Sequence, residues 1–433
     1  MKYHSLNKQA PTVTFDEAVI KGIARDKGLY FPEKIPVLPK SFWDNITHLS
    51  KEEIAVEVMK PFVGDSMDEA TLTDIVTDVL SFDFPLVSIE DNVATLELFH
   101  GPTMAFKDVG ARFMARCLGH FLKERNQQEE VTVLVATSGD TGGAVARGFY
   151  KVPGIKVVIL YPSGKVSDVQ ERQLTTLGEN ITALEVDGTF DDCQAMVKKA
   201  FLDEEIISTK QLTSANSINV ARWLPQSLYY LFAYKELKKQ GKADSLVFSV
   251  PSGNFGNICA GMVAHIMGMP VSHFVASVNS NTTIPRYMHS GVYTPTTTVA
   301  TISNAMDVSD PSNFIRVLQL FENDRQLLSQ KFSSYSYCDN ATRGAMLDLH
   351  EHHNYIADPH GAVGYLGLKG YLKNHPEAYG VFLETAHPVK FLPAVTPVVG
   401  DVKLPEQIKE LMDKDMKMIP VSTYEGFKEY LLG

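Results

Sequence analysis

A series of short, predominantly apolar runs, separated by stretches whose apolar positions recur every three or four residues, restricts this chain more than any other feature. The runs are Thr95 to Phe99, Val131 to Ala136, Lys156 to Tyr161, Ile181 to Val186, Leu246 to Val250, His273 to Val278 and Tyr379 to Leu383. Between them lie helical patterns such as Val109, Phe113, Met114, Cys117, Leu118, Phe121 and Leu122, or Cys193, Met196, Val197, Ala200 and Phe201. A strand that is apolar on both faces is covered on both faces, and strands separated by helices pair in parallel. The expected class is therefore α/β, with mainly parallel, doubly wound sheets whose ligands bind at the strand C-termini. With 433 residues the chain exceeds one ordinary domain. We expect an N-terminal module over residues 1–94, a first α/β lobe over 95–215 and a second over 216–433. In the first segment Thr14-Phe15-Asp16-Glu17-Ala18-Val19 reads as a capped helix start, and Pro32, Pro36 and Pro39 interrupt a loop after it.

Charge and cysteine content exclude several function classes. Forty basic against fifty-one acidic side chains give a net charge of −11, unsuited to a nucleic-acid or acidic-membrane partner. The four cysteines, Cys117, Cys193, Cys259 and Cys338, are widely spaced without a CxxC pair, so neither a disulfide framework nor a zinc site is expected. His350-Glu351-His352-His353 lacks the HExxH spacing, and no metal is expected. No stretch reaches the roughly 18 apolar residues of a membrane span, and the N-terminus lacks a charged start followed by an apolar run. A cytoplasmic protein that is a monomer or homodimer is the expectation.

Lys107 is the residue around which chemistry is most readily placed. It follows Leu98-Phe99-His100-Gly101-Pro102-Thr103-Met104-Ala105-Phe106 and opens a helical pattern, with Asp108 beside it in the first turn, where the helix dipole favours an anion. A lysine there is either a solvated surface charge or a usable amine. Ala105, Phe106 and the apolar helix face favour the second, because desolvation lowers a lysine pKa towards nucleophilic usefulness. Thr137-Ser138-Gly139-Asp140-Thr141-Gly142-Gly143 follows Val131 to Ala136 and leads into a helix; it is either a plain connecting turn or an anion site. Ser252-Gly253-Asn254-Phe255-Gly256-Asn257 follows Leu246 to Val250, and its small side chains and backbone N–H groups suit a phosphate. It matches neither GxxxxGK[ST] nor GxGxxG, which favours a small phosphorylated cofactor over a nucleotide. Asn216-Ser217-Ile218-Asn219-Val220-Ala221-Arg222 is either a polar helix start or an oxyanion site. Thr385 and His387 follow the last apolar run; either one points into the strand-end crevice, or Thr385 is an ordinary N-cap. Asp358-Pro359-His360-Gly361 reads as a turn and helix start, and Met262 to Met269 as core.

Taken in order, these stretches resemble the threonine synthase family, in its form with an N-terminal extension, among the fold-type II pyridoxal-phosphate enzymes. The resemblance runs through most of the chain. It rests on Gly28-Leu29-Tyr30-Phe31-Pro32, His100 to Gly110, Thr137 to Gly143, Tyr161 to Asp168, Asn216 to Arg222, Ser252 to Asn257 and Thr385-Ala386-His387-Pro388. It implies a fold like that of the tryptophan synthase β chain, pyridoxal 5'-phosphate as cofactor, and Lys107 as the Schiff-base lysine. It further implies that Gly253, Asn254, Phe255, Gly256 and Asn257 hold the cofactor phosphate and that Thr385 hydrogen-bonds the pyridine nitrogen. Ser138 and Thr141 are implied to contact the substrate, and Asn216, Ser217 and Arg222 to lie near its phosphate. Relatives of the shorter form carry Asn where Asp140 stands, near the cofactor's phenolic oxygen. If Asp140 faces that oxygen, one of the two is protonated.

The implied reaction takes O-phospho-L-homoserine and water to L-threonine and phosphate, by γ-elimination and β-addition. Lys107 would move protons at Cα and Cβ, the Arg222 cluster would hold the leaving phosphate, and domain closure would exclude water. The competing readings are a hydroxyamino-acid dehydratase, which has no need of Arg222, and a catalytically altered relative that only binds the cofactor.

Overall fold

The computed structural model describes residues 1–125 and 129–433. The chain divides into two compact units. One comprises Met1–Phe31, Lys107–Arg222 and Lys403–Gly433, the other Pro32–Phe106 and Trp223–Val402.

The first unit is built on a five-stranded, wholly parallel sheet. In spatial order its strands are Ile419–Val421, Ile181–Val186, Ile155–Pro162, Val131–Ala136 and Gln211–Ser214. Because successive side chains point to opposite faces, Leu134, Ala136, Val158 and Leu160 line one face. There they pack with Cys193, Val197, Ala200, Phe427 and Leu431 from helices Phe190–Ala200 and Tyr424–Leu432. The helices Lys107–Glu124 and Asp140–Phe149 run close together, and a side chain at Gly148 would come within 3.1 Å of the Ala111 backbone. The expected helix near Thr14 is Phe15–Lys21, opened by a Thr14–Glu17 capping box. Its Phe15 ring lies 6.5 Å from Phe113 and 6.0 Å from Phe121.

The second unit holds a six-stranded sheet in the order Phe332–Ser336, His273–Val278, Leu246–Pro251, Tyr379–Glu384, Val93–Glu97 and Leu86–Glu90. All neighbours are parallel except the last pair, a hairpin. Val247, Val275 and Phe382 on one face are covered by Met346, Leu349, Tyr365 and Leu368 from helices Asp339–His353 and Pro359–Leu372. Met262, Met267 and Met269 are buried, as a core role requires.

The division departs from the expected boundaries at 94/95 and 215/216. Residues 1–31 pack within the first unit through Phe15, whereas Leu86–Glu90 and Val93–Glu97 complete the second unit's sheet. Residues 403–433 return to the first unit because Ile419–Val421 pairs with Ile181–Val186. The run expected at Thr95 to Phe99 is a strand over Val93–Glu97, whose pairing with Tyr379–Glu384 ends on the bond from the Leu98 N–H to the Glu384 carbonyl.

Candidate active site

The first unit brings together the lysine and the first glycine-rich turn. Lys107 is the first residue of its helix, where the amide dipoles disfavour a cation, and its side chain is only 14% exposed. Its Nζ lies 4.0 Å from Oδ2 of Asp140, which opens the neighbouring helix. Asp140 is buried, and its Oδ1 accepts from Gln170 Nε2 at 2.9 Å. Gln170 is itself fixed by the capping box of Ser167 at the end of the Tyr161 to Asp168 stretch. Gly139 is required twice over: its φ of 129° disfavours a side chain, and a Cβ would meet Gln170 Cδ at 2.4 Å. Thr137 Oγ1 accepts from the N–H groups of Gly139 and Gly142, both at 2.9 Å, which sets the turn. Ser138 and Thr141 are half-buried at the helix start.

The cluster from Asn216 to Arg222 follows Gln211–Ser214, the strand beside Val131–Ala136. Asn216 ties the two strand ends together by donating from Nδ2 to the Ala136 carbonyl at 3.0 Å. Ser217 is half-buried. Arg222 is 2% exposed and donates from Nη1 to the Ala215 carbonyl, so part of its donor fork is committed to its own chain. Its carbonyl packs on the Lys107 helix, where a Cβ at Gly110 would lie 2.2 Å from it.

The second unit brings together the other glycine-rich loop and Thr385, at the C-termini of the adjacent strands Leu246–Pro251 and Tyr379–Glu384. Phe255 caps helix Gly256–Ile266 with a left-handed φ of 61°, a conformation costly for a residue with a side chain. It turns the first amides of the helix towards the loop. A Cβ on Gly253 would meet Met306 Cα at 2.8 Å and the Ala305 carbonyl oxygen at 2.9 Å. Asn254 Oδ1 accepts from the Ser312 N–H at 3.2 Å. Asn257 Oδ1 accepts from the Tyr230 hydroxyl at 2.6 Å, while its buried Nδ2 has no hydrogen-bond partner among the described residues. Thr385 is 6% exposed; its carbonyl accepts from the Phe106 N–H at 2.9 Å.

Buried or half-buried polar groups lie beside Thr385; of these the sequence singles out His387 but not Lys390. Lys390 is fully buried and donates to the Thr103 carbonyl at 2.8 Å. Burial, then the neighbouring Asp358 carboxylate, hold the Glu384 carboxyl well above the usual range. Burial likewise pulls His387 down to about 4, and its Nδ1 accepts from the Val389 N–H at 3.1 Å, so the ring is neutral. No motif marks Lys390, because its partner, the Thr103 carbonyl, is distant in sequence.

The sequence matches the family described as Pyridoxal-phosphate dependent enzyme over residues 89–382. It also matches the families described as Threonine synthase N terminus, over residues 2–80, and Threonine synthase, C-terminal, over 361–430. Threonine synthase of Escherichia coli strain K12 is 43% identical over 415 residues, 95% of each chain. The chain belongs to the threonine synthase family. A crystal structure of threonine synthase from Escherichia coli superposes with a TM-score of 0.93 at 40% identity, covering 100% of this chain and 99% of that one. A pyridoxal-phosphate-bound threonine synthase from Brucella melitensis gives 0.92 at 34% identity, covering 100% and 98%. Pyridoxal phosphate is the cofactor of this threonine synthase, a lyase. Each unit holds residues that fit it: the first a shielded amine, the second a helix N-terminus whose loop admits no Cβ at Gly253 and, among the described residues, an unpartnered buried amide at Asn257.

Proposed function

We propose that this threonine synthase converts O-phospho-L-homoserine and water to L-threonine and phosphate, working in the cytoplasm as a monomer or homodimer. The observation that carries the reading is the Lys107 amine, shielded in the first turn of its helix and faced by Asp140 at 4.0 Å. The cofactor, when bound, supplies an electron sink for carbanion chemistry at the substrate. Lys107 anchors it, and once displaced by the substrate takes up and returns protons at Cα and Cβ. Asp140, held by Gln170, faces the cofactor's phenolic side and fixes the charge around the Lys107 amine. Gly253, Asn254, Phe255, Gly256 and Asn257 hold the cofactor phosphate through backbone N–H groups and the helix dipole, since the loop from Ser252 to Asn257 contains no basic side chain. Ser138 and Thr141 orient the substrate's amino-acid end. Asn216, Ser217 and Arg222 hold its phosphate, where charge develops as the bond to Cγ breaks.

Incubation with O-phospho-L-homoserine, with phosphate and threonine both assayed, tests the reading. Equal amounts of the two products are expected. Phosphate without threonine would make the protein an eliminase, and neither product would make it a binder.

Arg222→Met is expected to raise KM by roughly ten- to a hundredfold, since a charge-assisted contact contributes about 1.5–3 kcal/mol. Cofactor absorption should stay normal. Because Arg222 also braces the Ala215 carbonyl, a melting curve accompanies the kinetics. Unchanged kinetics would remove Arg222 from the substrate site.

Thr385 offers a hydroxyl to the pyridine nitrogen, so Thr385→Ser should stay within about twofold of wild-type kcat, a serine hydroxyl having the same donor and acceptor capacity. Thr385→Asp would place a carboxylate there, next to Glu384, whose carboxyl burial already holds well above the usual range, and would hold the ring nitrogen protonated. We expect a shifted absorption band and a lowered kcat, because a protonated ring draws electrons from Cα more strongly and redistributes the reaction's intermediates. Equal damage from both variants would take Thr385 out of this position.

A further inference from the structure

The turn and helix start at Asp358-Pro359-His360-Gly361 has no part in the reaction as described, yet its side chains are among the most buried polar groups of the second unit. Asp358 is fully buried and His360 is 2% exposed. Asp358 caps helix Pro359–Leu372, accepting on Oδ1 from the N–H groups of His360 and Gly361. The same Oδ1 accepts from Nδ1 of His360 at 2.9 Å. With the Nδ1 proton committed to Asp358, the neutral ring presents Nε2 as an acceptor, and the Ala305 N–H donates to it at 3.1 Å. The ring is also packed 4.7 Å from that of Phe391.

Ala305 lies in the one-turn helix Asn304–Met306, and this turn covers Gly253. The Ala305 carbonyl oxygen and Met306 Cα are the atoms a Cβ on Gly253 would meet, at 2.9 Å and 2.8 Å. The same peptide segment thus makes both contacts, its N–H held by His360 and its carbonyl against the loop.

We propose that His360 is a positioning residue for the cofactor-phosphate loop. Oriented by Asp358, it holds the Asn304–Met306 turn against Gly253, so that the loop amides keep the direction in which they meet a phosphate. The inference rests on the reading of Gly253 to Asn257 as the phosphate holder.

Two amide replacements separate the two ends of the ring. Asn at position 360 mimics the Nδ1 end and keeps a donor for Asp358, but leaves the Ala305 N–H without an acceptor. Gln reaches the Nε2 position with an oxygen that can accept from it. Apoprotein of each variant is titrated with pyridoxal phosphate, and affinity is read from the cofactor's absorption. His360→Asn should bind about tenfold more weakly, the equivalent of one lost hydrogen bond, with substrate KM little changed in cofactor-saturated enzyme. His360→Gln should restore affinity to within about threefold, which a residue needed only for packing would not do. Wild-type affinity in His360→Asn, or equal loss in both variants, overturns the proposal. Gly253→Ala in the same titration separates the two ideas: if it too binds normally, the loop is not the phosphate holder; if it alone fails, only the role of His360 falls. Should neither His360 variant fold, hydrogen exchange at the Ala305 amide of the wild-type holoenzyme decides. Protection is expected, and exchange as fast as from an exposed loop overturns the proposal.

Discussion

Lys107→Ala should abolish threonine formation, with kcat falling at least about a thousandfold, within the range removed with a catalytic base and further extended by loss of the covalent anchor. The surroundings of the amine support the proposed role and also supply the control. Lys107 stands where the helix dipole disfavours a cation and where little water reaches it, while Asp140 sits 4.0 Å away with its other oxygen held by Gln170. Removing the lysine therefore leaves a buried carboxylate with one partner fewer, and some lost activity could come from a disturbed Asp140. Lys107→Arg answers this, because it keeps a cation facing Asp140 but cannot anchor the cofactor. Both variants should be inactive, with the Arg variant melting closer to wild type. Activity in Lys107→Arg would reduce the lysine to a counter-ion. Borohydride trapping of the wild type, followed by peptide mapping, checks the same point directly. The rival is Lys390, an amine buried more deeply and bonded to the Thr103 carbonyl. A label on Lys390 would sink the assignment.

What could be read ahead of the structure followed burial. Val131–Ala136 and His273–Val278 lie where their apolar runs placed them, because each is an interior strand covered on both faces. Gln211–Ser214, Phe332–Ser336 and Ile419–Val421 left no such signal: they are edge strands, short and partly polar, defined by the neighbour they pair with. The unit boundaries were also hidden. The chain passes between the units at 31/32, 106/107, 222/223 and 402/403, and the second of these falls inside the His100 to Gly110 stretch, immediately before Lys107.

The site divides in the same way. Lys107, the Thr137 to Gly143 turn and the Ser252 to Asn257 loop are local features, each spelled out by consecutive residues at a strand end or helix start. Gln170, which orients Asp140, stands 30 residues away from it, and His360 stands 55 residues from the Ala305 amide it accepts from. Neither separation has a period or a motif, so neither residue is recognisable until the fold brings the partners together. Arg222 is the intermediate case: its cluster was visible, but its burial and its bond to Ala215 were not.

Gly253→Ala, the smallest change that can be made in the phosphate loop, is expected to weaken cofactor binding by roughly ten- to a hundredfold, with Gly253→Val worse. The added methyl would stand 2.8 Å from Met306 Cα and 2.9 Å from the Ala305 carbonyl oxygen. Both are backbone atoms, so no flexible side chain can swing aside. The left-handed residue of the loop is Phe255, not Gly253, so the requirement for glycine at 253 is one of space rather than of φ. Relief can come in two ways. The Asn304–Met306 turn can move out, but it is braced by the Ala305 bond to His360 and, one residue on, by Asp307, which accepts from Thr301 N at 3.0 Å, Thr301 Oγ1 at 2.8 Å and Asn279 Nδ2 at 2.8 Å. The alternative is for the loop itself to move, which tilts the amides at residues 254–257 away from their common direction. Overpacking of this kind costs about 1–3 kcal/mol, and the less braced element takes most of the displacement. The loop, carrying a strained Phe255, is that element, so the cost should fall on cofactor affinity more than on the melting temperature of the apoprotein. Gly344→Ala is the matched control: it lies within helix Asp339–His353 with open space around its Cβ, and should be silent towards cofactor while stabilising the fold by about 0.5–1 kcal/mol. Retention of cofactor through dialysis by Gly253→Ala, as firm as in Gly344→Ala, would mean that the phosphate is held elsewhere.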